Sequence, residues 1–228
     1  MKRFGKGECE IGIVVLDGGP GAPGSAAPLA EALGAVRPRL DARSVAGQVD
    51  QVRAAIVDPP VTLVGWSWGA MLAVLVAGGH PELVRKLVLV GCGPLDAAYA
   101  PQVEATRRAR LTSEELERGE FSKADDYDPI DARRDVSFDV AVFEDVWNEA
   151  SSLRTAGGFL ESVARVRCPV VAIHGDHDPH PAEGVRVPLA AAVGDIEFHL
   201  LERCGHEPWR ERYARDRFYE LLREACAS

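Results

Sequence analysis

Short apolar runs recur along the chain at intervals that leave room for helices between them. Most of these runs are continuously apolar rather than alternating with polar residues. That pattern is typical of strands buried on both faces of a parallel sheet. The runs predict strands at Ile11–Leu16, Val61–Val64, Leu87–Val90, Val170–Ile173 and Ile196–Leu201.

Helical spacing fills the intervals between these runs. Ser25 is placed to cap a helix that Gly34 would end, and Ser44 is placed to cap a second helix. Strand–helix alternation of this kind predicts an α/β fold with a doubly wound, mostly parallel sheet. Further helices are expected over Trp68–Ala77, Pro181–Val193 and Arg210–Cys226.

The stretch from residue 96 to residue 166 breaks this alternation. Its first half is dense in charge and predicts a solvated face, and Thr112 and Glu115 have the spacing of a helix-starting capping box. We expect a mainly helical cap over 96–166, inserted between two segments of an α/β core, 1–95 and 167–228. Apolar side chains at helical spacing in its second half either pack on the core or roof a substrate pocket: Phe138, Val142, Phe143, Val146 and Trp147.

Composition narrows the classes of function. The 228 residues suffice for one α/β domain whose core needs no disulfide or metal to hold it. The net charge of −9 argues against a nucleic-acid partner, because nucleic acids bind clustered lysine and arginine. Five cysteines without a C-x-x-C pair favour free buried thiols in a reducing compartment: Cys9, Cys92, Cys168, Cys204 and Cys226.

The pattern of apolar residues contains no targeting or membrane segment. No apolar stretch precedes Ile11, so no signal peptide is expected. The longest apolar run, around Met71–Ala77, is too short to span a bilayer. We therefore expect a cytoplasmic protein without a membrane partner.

Residues 65–69 read Gly-Trp-Ser-Trp-Gly and match the pattern G-x-S-x-G. A predicted strand precedes the motif and a predicted helix follows it. This context matters chemically, because a sharp strand-to-helix turn lifts the serine oxygen clear of the sheet and the helix N-terminus stabilises negative charge nearby. Ser67 is therefore the candidate nucleophile.

Two further motifs follow later predicted strands. Residues 174–179 read His-Gly-Asp-His-Asp-Pro and include Asp178, and residues 204–208 read Cys-Gly-His-Glu-Pro and include His206. With Ser67 they give the chain order serine, acid, histidine, which differs from the orders of chymotrypsin and subtilisin. The three motifs together are far more specific than any one of them.

These motifs resemble those of the α/β-hydrolase superfamily, and the resemblance extends over nearly the whole chain. Residues 17–21, Asp-Gly-Gly-Pro-Gly, look like the HGGPG oxyanion loop of the proline-iminopeptidase-like branch, which also often has tryptophan after the serine. The resemblance implies a general base, an orienting acid and backbone N–H groups that stabilise an oxyanion. The implied residues are Ser67, Asp178 and His206 for the triad, and Gly19 and Trp68 for the oxyanion hole.

Two departures from the family pattern stand out. The loop begins with Asp17 where the family usually has histidine, so the hydrogen bonds that support the loop must differ. Only ten residues precede the first apolar run, so the two antiparallel strands that usually open the fold are expected to be missing. A short strand at Val36–Leu40, blunted by Pro38 and its flanking arginines, would then form the exposed edge.

Three alternatives stay open in the residues. Asp176 or Asp96 would serve as the acid in place of Asp178. Residues 19–24 match the dinucleotide fingerprint G-x-G-x-x-G with Asp41 downstream, although two prolines lack the N–H groups that a pyrophosphate needs. A metal site would use residues whose spacing matches no zinc motif: His174, Asp176, His177, Asp178 and His180.

The sequence thus predicts a serine hydrolase that cleaves an ester or amide of a small molecule through an acyl-enzyme, with no cofactor or metal. The alternative is a lyase, cyclase, acyltransferase or small-molecule binder of the same fold, because a fold alone does not determine function. Missing opening strands would leave an edge or apolar face for a second copy, which makes a homodimer one expectation.

Overall fold

Five parallel strands form one sheet at the centre of the protein. The computed structural model describes residues 12–133 and 135–227, and the strands follow one another across the sheet in chain order. All five apolar runs of the sequence contain a strand, and Ile11 lies outside the described residues. The strands are β1 (Ile13–Leu16), β2 (Val61–Trp66), β3 (Val84–Val90), β4 (Val170–Gly175) and β5 (Ile196–Leu201).

Helices cover both faces of this sheet, which confirms the doubly wound α/β class. The described residues form α1 (Ala27–Leu33), α2 (Val45–Ala55), α3 (Trp68–Gly79), α4 (Ala100–Arg110), α5 (Ser113–Glu117), α6 (Ser122–Asp125), α7 (Val140–Thr155), α8 (Gly158–Arg165), α9 (Glu183–Ala192) and α10 (Arg215–Cys226). Short 3-10 helices lie at Pro81–Leu83, Ala97–Tyr99 and Pro208–Arg210.

Two hydrophobic clusters, one on each face of the sheet, explain why most positions in the strands are apolar. Leu63 and Leu87 belong to the cluster that contains α3, whereas Val64 and Val88 pack with Phe218 of α10. Successive side chains of a strand point to opposite faces, so a strand covered on both sides is apolar at consecutive positions. Each fully buried aliphatic side chain stabilises the fold by about 1.5–3 kcal/mol.

The parallel register brings the carboxyl ends of the strands to one edge of the sheet. Leu16 at the end of β1 pairs with Gly65, and Gly175 at the end of β4 pairs with Leu201. In open α/β sheets the crevice outside these ends is where ligands bind. The three motifs of the sequence all follow strands at this edge.

Helices α4 to α8 fill the interval between β3 and β4, where the sequence predicts a helical insertion. The predicted capping box starts α5, because Thr112 and Glu115 each accept the other's backbone N–H. Helices α7 and α8 reach the cluster that contains α3 through Val146, Phe159 and Val163. The second half of the insertion therefore packs against the core.

The two predicted serine caps have different outcomes. Ser44 caps α2, and its Oγ accepts the Gly47 N–H at 3.1 Å. The prediction that Ser25 caps α1 is wrong, because Ala26 precedes the helix and no side chain caps it. The Ser25 hydroxyl instead accepts the Gly18 N–H at 3.0 Å, in the loop after β1.

The ends of the other helices differ slightly from the sequence pattern. Gly34 ends α1 in the left-handed conformation, as predicted. Helix α10 begins at Arg215 rather than Arg210, because Pro208–Arg210 form a separate 3-10 turn. Helix α9 begins at Glu183, two residues after Pro181.

The predicted edge strand at Val36–Leu40 is reduced to a single bridge. The Val36 N–H donates to the Ile13 carbonyl at 3.1 Å, and the Val36 carbonyl accepts the Val15 N–H at 2.8 Å. The next donor of a parallel ladder would be the N–H of residue 38. Pro38 has none, so the ladder stops, and the prediction of a longer strand is wrong.

The remaining predictions concern the first residues of the chain, the cysteine thiols and the absence of a membrane-spanning helix. Cys9 and any strand within residues 1–11 lie outside the described residues, and within 12–133 and 135–227 every strand pair of the sheet is parallel. None of the helices in the described part combines the length and apolar character that crossing a bilayer requires. The other four cysteines are buried free thiols, as predicted: Cys92, Cys168, Cys204 and Cys226.

The turn after β2 is so tight that Gly65 has no room for a side chain. A Cβ there would lie 2.2 Å from the Gly69 carbonyl oxygen, so α3 would have to move away from the sheet. We expect Gly65→Ala to lower the free energy of unfolding by about 3 kcal/mol, measured by urea denaturation.

The control for this prediction is Gly79→Ala at the exposed end of α3. Nothing lies within 4 Å of a Cβ at Gly79, and alanine favours helix, so stability should stay the same or rise. Equal losses for Gly65→Ala and Gly79→Ala would contradict the steric explanation.

Candidate active site

Ser67 occupies the turn between β2 and α3 in a strained backbone conformation. Its φ of 54° and ψ of −117° lie where residues with a side chain are rarely found. Strain of this kind amounts to about 1–3 kcal/mol and is concentrated at functional sites. The Ser67 N–H donates to the Val90 carbonyl at 2.9 Å, which fixes the turn against β3.

The start of α3 packs directly on the end of β1. A Cβ on Gly69 would lie 2.4 Å from the Leu16 carbonyl oxygen and 2.6 Å from that of Asp17. This approach brings the first turn of α3 beside the loop that contains Gly19. The backbone N–H of Trp68, at the first helical position, has no partner within the helix. The arrangement places both predicted oxyanion donors on neighbouring segments.

A buried hydrogen-bond chain fixes the side chain of Trp68. Its indole Nε1–H donates to Gln48 Oε1 at 2.8 Å, and the Gln48 amide donates in turn to the Ala42 carbonyl at 3.1 Å. Gln48 is fully buried. The sequence pattern gave no reason to single out this glutamine, since it lies on a helix of ordinary amphipathic spacing.

Asp178 lies in the loop after β4 and contacts His206, which lies in the loop after β5. The distance between Asp178 Oδ2 and His206 Nδ1 is 2.7 Å. The other oxygen, Oδ1, accepts the backbone N–H of His180 at 2.9 Å and faces its ring Nδ1 at 2.7 Å. Burial alone would raise the pKa of Asp178, but the imidazoles of His206, His180 and His174 lower it well below its ordinary value. Asp178 is therefore a carboxylate with N–H donors on both oxygens.

The two other acids that the sequence offered have different partners. Asp176 Oδ1 accepts the Cys204 N–H at 3.1 Å, and Asp96 Oδ1 accepts the Ala98 N–H at 2.9 Å. Asp96 thus supports its own loop, whereas Asp176 ties the loop after β4 to the loop after β5. Of these acids, Asp178 is the one that the fold brings into contact with His206.

His206 is enclosed by β2 and by the loop after β3. Its carbonyl accepts the indole N–H of Trp66 at 2.9 Å, and a Cβ on Gly91 would lie 3.1 Å from its Nδ1. Burial alone would lower the pKa of His206, but Asp178 outweighs burial, and with a smaller contribution from Asp125 the pKa rises above its ordinary value. The ring therefore has the electrostatic support that a general base needs.

The position of Ser67 relative to His206 follows from shared neighbours. The Ser67 N–H bonds Val90, and the next residue, Gly91, packs on the His206 ring. The preceding residue, Trp66, has its ring centroid 5.2 Å from that of His206. Within the described residues the half-buried Ser67 hydroxyl has no hydrogen-bond partner, so it is free to rotate toward a base or a substrate.

Two buried acids that the sequence analysis did not identify hold the loop of His206. Asp125 accepts the His206 N–H through its backbone carbonyl at 2.8 Å. The Glu211 carboxylate accepts the N–H groups of Gly205 at 2.9 Å and of Tyr127 and Asp128 at 2.8 Å. Glu211 is 1% exposed. The Glu211 carboxylate thus ties the loop of His206 to the helical insertion. Its partners are backbone N–H groups more than 80 residues away in the insertion, so no local pattern in the sequence indicates this role.

Asp17 organises the loop that carries Gly19. Its Oδ1 accepts the Ala26 N–H at 2.8 Å, and its Oδ2 accepts the Gly24 N–H at 3.0 Å and the Arg37 guanidinium at 2.6 Å. Asp17 therefore closes residues 17–26 into a compact loop from within. The same bonds occupy amides that a bound pyrophosphate would use, which argues against the dinucleotide alternative.

The residues proposed as an alternative metal site do not form one cluster. Asp178, His180 and His206 each have a ligand atom within 4.8 Å of the others'. The facing atoms already bond one another, since both Nδ1 atoms contact the Asp178 carboxylate. His177 instead lies edge-on to Tyr127. The arrangement is that of a hydrogen-bonded carboxylate.

A cavity of about 700 Å³ opens beside the loop that contains Gly19. Gly19 and Trp66 line it on the side of the sheet, Arg133 lines it from the insertion, and Glu207 lines it from the loop after β5. Burial raises the pKa of Glu207, although its neighbours Arg133 and Arg210 oppose this. The cavity therefore has an apolar floor and a wall of paired charges.

The sequence matches the model of the alpha/beta hydrolase family over residues 6–221, and the chain belongs to that family. Comparison with curated protein sequences gives no match.

Solved structures with the same fold include a putative lipase, a proline iminopeptidase and a monoacylglycerol lipase. A putative lipase from Acinetobacter baumannii AYE has a TM-score of 0.68 and 16% identity, over 95% of this chain and 84% of its own. The proline iminopeptidase of Mycobacterium smegmatis has a TM-score of 0.65 and 16% identity, over 96% and 91%. A monoacylglycerol lipase of Paleococcus ferrophilus has a TM-score of 0.61 and 17% identity, over 95% and 94%. At these identities the likeness shows the fold alone.

The bonds of Asp17 lead to a stability prediction. In Asp17→Asn, the charge that pairs with Arg37 is lost. The new side-chain NH₂ group also faces a backbone N–H, so two donors oppose each other. We expect a loss of about 1–3 kcal/mol in the free energy of unfolding, measured by urea denaturation. The matched control is Asp41→Asn, whose ion pair with Arg39 is exposed and should contribute little. A loss no larger than that of the control would show that the Asp17 bonds do not stabilise the loop.

Proposed function

We propose that the protein is a serine hydrolase that cleaves a small-molecule ester through an acyl-enzyme. The observation that carries this proposal is the 2.7 Å contact between His206 and Asp178 beside the strained turn of Ser67. A neutral imidazole whose Nδ1–H is fixed by a carboxylate presents Nε2 as a base.

In the first step, Ser67 Oγ attacks the carbonyl carbon of the ester while His206 Nε2 takes the hydroxyl proton. The new C–O bond places negative charge on the carbonyl oxygen. The N–H groups of Gly19 and Trp68 stabilise that charge, and the loss of one such donor typically slows the reaction by about 10²–10³.

In the second step, the bond to the leaving group breaks and His206 returns its proton to the departing oxygen. A water then attacks the acyl-enzyme with His206 again as base, which releases the acid and restores Ser67. Asp178 stays ionised throughout and stabilises the imidazolium. No step needs a cofactor.

The free Ser67 hydroxyl is compatible with this mechanism. Catalytic hydrogen bonds are often long or absent before substrate binds and tighten in the complex. The neighbours shared through Val90, Gly91 and Trp66 hold the turn and the imidazole on the same side of the sheet edge.

We propose that residues 96–166 form a cap over this edge. The cavity beside Gly19 and Arg133 is lined by Trp66 and Glu207, which adjoin Ser67 and His206 in the chain, and not by Ser67 or His206 themselves, so we propose it as the substrate's approach to the site. The buried ties from Asp125 and Glu211 to the loop of His206 support this role, because they hold the insertion against the site.

An ester is favoured over an aminoacyl amide by the glutamates of the insertion. The proline-iminopeptidase-like branch uses cap carboxylates to hold a free amine. Here Glu104 pairs with Arg108, and Glu114 pairs with Arg118, in exposed ion pairs within single helices. These carboxylates face solvent and have cations beside them already. A panel of aryl esters beside aminoacyl arylamides tests this choice, and turnover of the arylamides alone would reverse it.

Ser67→Ala tests the nucleophile. We expect the variant to fold, because alanine occupies the same backbone conformation, and to lose labelling by a fluorophosphonate probe and nearly all ester turnover. The matched control is Ser151→Ala, an exposed serine on α7, which should be labelled like the wild type.

Either of two results would remove Ser67 from the mechanism: undiminished labelling of Ser67→Ala, or full ester turnover by it. Labelling of the wild type without turnover of any ester would instead favour the non-hydrolytic alternative, in which the same residues serve a lyase, cyclase or acyltransferase.

The raised pKa of His206 predicts the pH dependence of labelling. His206 must be neutral to accept the serine proton, so the rate of labelling should fall as the pH drops through the pKa of His206. Although burial opposes it, Asp178 raises this pKa above the ordinary 6.5, so the midpoint of the acid limb should lie above 6.5. The second-order labelling rate, measured from about pH 5 to about pH 9, checks this. A midpoint at or below 6.5 would contradict the role given to Asp178.

A further inference from the structure

The carboxylate of Asp178 contacts two imidazoles rather than one. His206 Nδ1 lies 2.7 Å from Oδ2, and His180 Nδ1 lies 2.7 Å from Oδ1. The backbone N–H of His180 also donates to Oδ1 at 2.9 Å. The side chain of Asp178 is completely buried. The proposed mechanism uses His206 and leaves the second imidazole without a role.

The hydrogen bonds fix the tautomer of His180. An ionised carboxylate only accepts, so the ring of His180 donates from Nδ1. His174 Nε2 lies 2.7 Å from the His180 carbonyl, which also only accepts, so His174 donates there and holds the backbone of His180 in place. Both the main chain and the ring of His180 are therefore set to donate to the same carboxylate oxygen.

The two rings that contact Asp178 also pack on each other. The ring centroids of His180 and His206 lie 4.5 Å apart at an interplanar angle of 32°. Burial lowers the pKa of His180, and this outweighs the opposing effect of Asp178. The lowered pKa favours the neutral form of His180, which disfavours two adjacent imidazolium ions when His206 takes a proton.

We propose that His180 is a positioning residue that holds the Asp178 carboxylate in the orientation His206 needs and withdraws negative charge from its Oδ2. A carboxylate with donors on one oxygen alone can rotate about its terminal bond. The two donors from His180 prevent this rotation, since they engage Oδ1 while Oδ2 faces His206. This inference deepens the proposed function and rests on it for its kinetic part.

The same hydrogen bonds also affect the pKa of His206. Donors on Oδ1 draw charge away from Oδ2, so their loss leaves Oδ2 more negative and stabilises the imidazolium of His206. Besides Asp178 and His180, the charged groups that act on His206 are Asp125, Arg133 and Glu207. Arg107 acts on His180, and His174 Nε2 lies 3.7 Å from Asp178 Oδ2. None of these changes when the side chain at position 180 is replaced, so a shift in the pKa of His206 reports on the side-chain donor.

Two variants separate the donor from the ring. His180→Phe keeps an aromatic ring over His206 and removes the Nδ1–H donor. His180→Asn removes the ring and keeps a side-chain N–H close to the position of Nδ1. His199→Phe on β5 is the matched control, because its ring pairs with Glu197 and not with Asp178.

Two measurements are made on each variant. NMR titration of the His206 ring gives its pKa without any substrate, and the pH profile of fluorophosphonate labelling gives the rate. We expect His180→Phe to raise the pKa of His206 by about 0.5–1 unit. We expect its labelling at the pH optimum to be about 10- to 100-fold slower, because the imidazole is less well oriented. His180→Asn should restore both toward the wild type, and His199→Phe should change neither.

Other outcomes would overturn the inference. An unchanged pKa and labelling rate in His180→Phe would show that His180 neither orients nor polarises Asp178. Equal defects in His180→Phe and His180→Asn would assign the effect to exact packing rather than to the donor. If His180→Phe does not fold, His180→Leu replaces it, since leucine is close to asparagine in size and lacks a donor.

The titration also keeps this inference separate from the proposed function. If the wild type is not labelled at Ser67, the hydrolase proposal fails, whereas the pKa of His206 in His180→Phe still decides whether His180 tunes the buried pair. If the wild type is labelled and neither the pKa of His206 nor the labelling rate changes in His180→Phe, the hydrolase stands and the role of His180 falls.

Discussion

The buried carboxylate of Asp178 is the charge on which the arrangement of the sheet edge depends. An isolated ion in this position would be strongly destabilising, because burial removes its hydration. The protein compensates with N–H donors from two loops, His180 after β4 and His206 after β5. Those loops must therefore approach each other, and their approach is what brings an imidazole to the neighbourhood of the turn at Ser67.

Buried carboxylates organise the other loops at this edge by the same chemistry. Asp17 closes the loop after β1 around two backbone N–H groups, and Glu211 ties the loop of His206 to residues 127 and 128 of the insertion. Backbone N–H groups in loops lack the partners that strands and helices provide. Acceptors on side chains fill that need, and they join segments of the chain that lie far apart in sequence.

The helical insertion belongs partly to the core and partly to the site. Helix α8 packs on α3 through Phe159 and Val163. The second half of the insertion therefore adds to the hydrophobic layer on one face of the sheet. Its middle part contacts the loop of His206 through Asp125 and lines the cavity through Arg133. One insertion therefore both adds to the core and lines the cavity beside Gly19.

Local patterns in the sequence determined the five strands and the helix caps at Ser44 and Thr112. They also determined that Ser67, Asp178 and His206 follow strands. Periodicity and turn chemistry act between near neighbours, so the sequence alone contains this information. They failed at Ser25 and at Val36–Leu40, where the Gly18 backbone competes for a hydroxyl and Pro38 interrupts a ladder. Only the tertiary structure decided that Asp178 rather than Asp176 or Asp96 contacts His206. It also decided that Gln48 bonds Trp68, that His180 bonds Asp178, and that Glu211 joins the loop of His206 to the insertion. Those contacts join residues from different loops and helices, and no spacing along the chain encodes the distance between two loops that meet at one edge of a sheet.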